Sequence, residues 1–114
     1  MSFFESEVVR SEMAEISELQ EEVYHNVFKF FKMTKEDKIK HVDVLQKLLN
    51  KQQVLYTRMS LSDDPEAKAM KQKIAESASM MGLDANVDMN VIFSNMSKLI
   101  DVMRDQIDKN DLKD

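Results

Sequence analysis

The chain contains no cysteine, which excludes disulfides, thiol nucleophiles and cysteine-ligated zinc, so its stability must come from packing. It has one glycine and one proline in 114 residues, almost nothing with which to build tight hairpins or a many-turned sheet, so the expectation is all-α. No apolar run approaches the roughly 18 residues of a membrane span. The opening Met1-Ser2-Phe3-Phe4-Glu5 lacks the charged-then-apolar pattern of an export signal, so a cytoplasmic protein is expected. There is no glycine-rich phosphate loop, no serine-histidine-aspartate arrangement with supporting spacing, and no internal repeat. Catalysis has little to start from.

What the sequence does carry is helical periodicity. Val42, Leu45, Leu49, Gln52, Tyr56 and Met59 recur at alternating gaps of three and four, a heptad-like seam on one face of a helix spanning residues 35–60. A rod that long needs equally long neighbours. Before it, Val9, Met13, Ile16, Val23, Val27 and Phe31 predict a helix over 6–31, with Ser6 as its cap and Phe3 and Phe4 free to fold back on its first turn or to lie on another subunit. Phe28, Phe30 and Phe31 make its far end the most aromatic spot in the chain. Thr34 caps the second helix, with Asp37 imitating a capping box, and so short a link makes these two helices antiparallel neighbours.

Asp64-Pro65 uses both helix-start rules and opens a third helix over 65–81 with a narrow methionine-rich face, Met70, Ile74, Ala78 and Met81, stopped by Gly82. It is the least firmly held element. Asp84, Asn86 and Asp88 compete to cap a fourth helix over 87–108, on which Ile92, Met96, Leu99, Met103 and Ile107 share a face that Val87 and Phe93 extend. Residues 109–114 form a polar tail. The prediction is one domain over residues 1–108, an antiparallel bundle of about four helices, two long and two shorter, completed by dimerisation.

The net charge of -5 is unevenly spread. Residues 34–60 carry six basic against three acidic side chains and are flanked by acidic segments. Lys40, Lys47, Lys51 and Arg58 form a basic stripe opposite the seam, suited to gripping phosphates, to solubilising the helix or to pairing with the acidic first helix. An acidic chain with one such stripe, no interleaved aromatics and no recognition motif is poor material for nucleic-acid binding.

Two acidic patterns test the possibility of a metal. Glu22-x-x-His25 has the spacing of a di-iron bundle ligand pair, but the second histidine, His41, has Lys38 where its partner glutamate belongs, and surface histidine is the plainer reading. Glu12, Glu15, Glu18, Glu21 and Glu22 resemble the magnesium-binding acids of all-helical nucleotide pyrophosphohydrolases, but a spacing of three drifts around the helix and the later Glu-x-x-Asp is missing. A solvated acidic face accounts for them. No catalytic, cofactor-binding or metal residue is assigned.

The residues Phe3-Phe4-Glu5-Ser6-Glu7-Val8-Val9, the junction Leu61-Ser62-Asp63-Asp64 and Met81-Gly82 resemble, in that order, a small helical family of unknown function from cyanobacteria and the phages that infect them. The resemblance spans residues 3 to about 105 and implies an all-helical cytoplasmic protein with no assigned activity. Together these readings point to a non-enzymatic interaction or regulatory protein acting as a homo-oligomer, with an unidentified protein partner possible and no cofactor or membrane association. Its anchor candidates are Phe3, Phe4, Phe28, Phe30, Phe31 and Phe93, then Met80 and Met81. The alternative is a metal-dependent nucleotide hydrolase on an all-α bundle using Glu15, Glu18, Glu22 and Asp101.

Overall fold

A computed structural model describes residues 2–83 and 88–111. Its α-helices are α1 (Glu7–Val27), α2 (Lys35–Leu61), α3 (Pro65–Met80) and α4 (Met89–Asp111), with short 3-10 turns at Phe3–Glu5 and Phe30–Lys32. Local chemistry accounts for most of the boundaries. The Thr34 hydroxyl accepts from the Asp37 backbone N–H at 3.1 Å, and the Asp64 carboxylate accepts from that of Glu66 at 2.9 Å. Gly82 adopts φ +92°, and the N–H groups of Gly82 and Leu83 close back onto Ser79 and Ala78, tying off α3 in a Schellman turn. Asp88 starts α4 by accepting from the Asn90 N–H at 2.9 Å; the other two cap candidates, Asp84 and Asn86, and Val87 lie outside the described residues.

One boundary differs from expectation. The helix α1 stops at Val27 rather than Phe31, and the aromatic segment turns as a 3-10 piece before Thr34 opens α2. No glycine or proline marks this stop. Breaking the helix here turns Phe30 against His41, with ring centroids 5.4 Å apart, and leaves Phe28 and Phe31 outside.

The helix α2 is the middle element, and α1 and α4 pack on it rather than on each other. Arg58 pairs with Glu12 and Lys51 with Glu15, while Lys35 pairs with Asp108, Arg104 with Asp43, and Tyr56 packs against Phe93. In both sets the numbering rises on one helix as it falls on the other. Both outer helices therefore run antiparallel to α2. The third helix, α3, touches α2 lightly and leans on the N-terminal turn, whose Phe3 N–H donates to the Asp64 carboxylate.

The resulting slab measures 55 × 31 × 20 Å, about three helices wide and at most two thick. Its core is Val42 and Leu49 of α2 against Phe93, Ile100 and Ile107 of α4. The α4 face is thus rotated from the predicted one: Ile100 and Phe93 are inside, whereas Leu99 is 64% and Met96 44% exposed. The apolar arc of α4 is wider than its single neighbour covers.

Candidate functional site

The α2 seam divides between two environments. Val42 and Leu49 are sealed by α4, but Gln52, Leu55, Tyr56 and Met59 floor a cleft of about 430 Å³ between the outer helices. Met13 and Ile16 of α1 form one wall, and Met89, Phe93 and Met96 of α4 the other. Phe3 and Phe4 close the upper end together with Met70 and Ile74 of α3. The cleft exists because two helices packed on opposite flanks of a third leave a gap that short or flexible side chains do not fill.

Its chemistry is almost wholly apolar. The Gln52 amide and the Tyr56 hydroxyl are the side-chain hydrogen-bonding groups among its lining residues, with no ionisable acid or imidazole there. Such a surface holds apolar side chains by burial and directs no proton or charge. The sulfur-rich walls adapt to irregular shapes, which suits a docking surface.

Phe3 and Phe4 fold back onto their own chain, pack edge to face at 5.1 Å and form part of the cleft's upper end. Phe30 is half-buried under the Lys38 ammonium, 5.5 Å from the ring centre. Phe93 is a core residue that presents one edge to the cleft. Of the anchor candidates, Phe28, Phe31, Met80 and Met81 stand free, each more than four-fifths exposed. What the sequence reading missed is the uncovered stripe of Val91, Leu99 and Val102 on α4. Its signal was present, since these residues fall within about 80° of one another on a helical wheel, on the side of α4 turned away from its core face.

The basic stripe is divided among partners. Lys51 and Arg58 pair with Glu15 and Glu12 of the same chain, and Lys40 reaches Glu36 one turn away at 3.9 Å. Lys47 adds its charge to the field around Glu15. The hydrogen bond and charge of Lys51 hold the Glu15 carboxyl below the usual glutamate range. The acids of the hydrolase reading are dispersed: Glu15 is engaged by Lys51, Glu18 and Asp101 are exposed, and Glu22 borders a different cavity beside His41. Among the described residues, no three histidine or acidic side chains gather as they would around a metal ion.

Over this architecture, a family model described as a domain of unknown function, DUF1825, matches residues 1–107. The chain belongs to that family. The match includes every residue of the cleft and of the α4 stripe. No curated protein and no solved structure matches the chain. No helix among the described residues is long and apolar enough to cross a membrane.

Proposed function

We propose that this member of the DUF1825 family is a non-enzymatic interaction protein that works as a homo-oligomer, most simply a dimer, pairing through the exposed α4 stripe. The observation that carries the reading is the amount of surface left uncovered. The chain exposes 8357 Å², whereas a compact monomer of its 13.3 kDa exposes roughly 6,500 Å². The difference, roughly 1,900 Å², exceeds the roughly 800 Å² that each partner buries in a standard interface. An elongated slab accounts for part of it. Val91, Leu99 and Val102, each at least half exposed, supply the apolar character that elongation alone does not.

A cytoplasmic setting and a cyanobacterial or phage source, which the sequence resemblance implies, belong to the same proposal, as does a protein partner received on the assembled surface.

The test is light scattering across a concentration series on the wild type and on a Leu99→Lys/Val102→Lys variant. Both positions are exposed, so the variant keeps its helical circular dichroism. The expected result is a dimer that the variant abolishes. A wild type that remains at 13.3 kDa, or a variant that associates as well as the wild type, overturns the proposal.

A further inference from the structure

Where α1 gives way to α2, a second cavity of about 600 Å³ differs in kind from the apolar cleft. It is lined by Asn26, Lys29, Lys32, Lys40 and His41 and equally by the carboxylates of Glu22 and Asp37. His41 is the buried polar residue of the described core, 5% exposed, with its ring tilted by 49° against that of Phe30. Its Nδ1 has no hydrogen-bond partner. A buried imidazole nitrogen left unpaired is uncommon in a folded protein and calls for a ligand or a water. Around it, Lys29 and Lys32 make no ion pair among the described residues, and Lys40 makes only an exposed contact with Glu36 at 3.9 Å. The α2 N-terminus lies on the same side, since Thr34 also lines the cavity.

We infer that this cavity binds a phosphate-type oxyanion, held by the ammonium groups of Lys29, Lys32 and Lys40 and by the His41 imidazole. The cations supply charge-assisted donors, and a neutral imidazole offers one ring N–H as a further donor. The carboxylates of Glu22 and Asp37 give the site its selectivity. Hydrogen phosphate carries an O–H that a carboxylate accepts, whereas sulfate at neutral pH has no proton to offer and meets only repulsion there. The inference stands apart from the homo-oligomer reading, because none of these residues belongs to the apolar cleft or to the α4 stripe.

The two histidines make the test direct. His25 is exposed and serves as an internal control for His41. Imidazole nitrogen NMR of the full chain at neutral pH is followed during titration with inorganic phosphate, with sulfate and with glycerol phosphate, at matched ionic strength. The expected result is a saturable shift of His41 alone with millimolar phosphate, at least about tenfold weaker with sulfate, and weakened about tenfold or more in a Lys29→Gln/Lys32→Gln variant. Glycerol phosphate, largely a dianion without a P–O–H at neutral pH, is expected to bind more weakly than phosphate, and binding as tight as that of phosphate overturns the selectivity assigned to Glu22 and Asp37. The inference is overturned if His41 does not respond to phosphate, if phosphate and sulfate move both histidines alike, or if the lysine variant, intact by circular dichroism, binds unchanged.

Discussion

Phe93 and Phe31 are both phenylalanines on apolar helical surfaces, and the structure assigns them opposite consequences. Phe93 is 7% exposed, meets Tyr56 edge-on at 5.9 Å and belongs to the cluster of Val42, Leu49, Ile100 and Ile107; Phe31 is 89% exposed. Truncating a buried phenylalanine to alanine costs about 3–5 kcal/mol, part transfer and part cavity. Because Phe93 also borders the open cleft, the void left by Phe93→Ala joins existing space instead of forming a sealed cavity. The cost therefore falls near the lower end, about 3 kcal/mol. Against a total stability of about 5–15 kcal/mol for a domain of this kind, that is a large fraction. Urea unfolding followed by circular dichroism, at protein concentrations too low for association, tests this. With a slope of about 1.5 kcal/mol/M, the Phe93→Ala midpoint drops by about 2 M and the Phe31→Ala midpoint stays within about 0.3 M of wild type. A loss below about 1 kcal/mol for Phe93→Ala, or a larger loss for Phe31→Ala, refutes the assignment of core and surface.

Three further outcomes follow from local geometry. Asp64→Ala removes both the cap of α3 and the acceptor for the Phe3 N–H, so it costs about 1–2 kcal/mol in urea unfolding and speeds amide exchange at the N-terminal turn, whereas Asp64→Asn keeps one acceptor oxygen for the cap and loses the one for Phe3; unchanged exchange there in Asp64→Ala contradicts the tie. Gly82→Ala meets no neighbouring atom within 4 Å but keeps a backbone at φ +92°, so its cost is conformational alone, about 1 kcal/mol, and a stabilising result counts against the left-handed stop. Burial holds the His41 imidazole below its usual range, opposed in part by the charge of Glu22, and Lys51 lowers Glu15, so at both groups the unfolded chain binds protons more readily than the folded one. Stability is accordingly full above the ordinary histidine value of 6.5 and falls as pH drops through it, with Glu15 adding a second loss below 4.5; His41→Gln removes the first loss, and a melting temperature that rises on acidification below neutrality refutes the sign.

Features set by neighbouring residues were legible in the sequence. Thr34, Asp64-Pro65 and Gly82 start and stop helices through contacts within a few residues, and the opposite charges of the first two helices find each other in Glu12–Arg58 and Glu15–Lys51. Features set by what packs on a helix were not. The α4 sequence carries one broad apolar arc, and periodicity does not say which half its single neighbour covers. His41 sits between Lys40 and Val42 in a segment rich in lysine, and its burial follows from Phe30 turning onto it across a break in α1 that no glycine or proline announces. The apolar cleft was foreshadowed by the Met70 and Ile74 face and by Gln52 in the seam, but only the spacing of three helices makes it a space.

The claim on which the functional reading depends is that a second copy covers the apolar face of this slab. Sedimentation equilibrium on the unmodified chain, from micromolar upward at two salt concentrations, measures this directly. The account predicts a mass of twice 13.3 kDa with little salt dependence, because the exposed stripe of Val91, Leu99 and Val102 is apolar. A single species of 13.3 kDa across the whole range contradicts it.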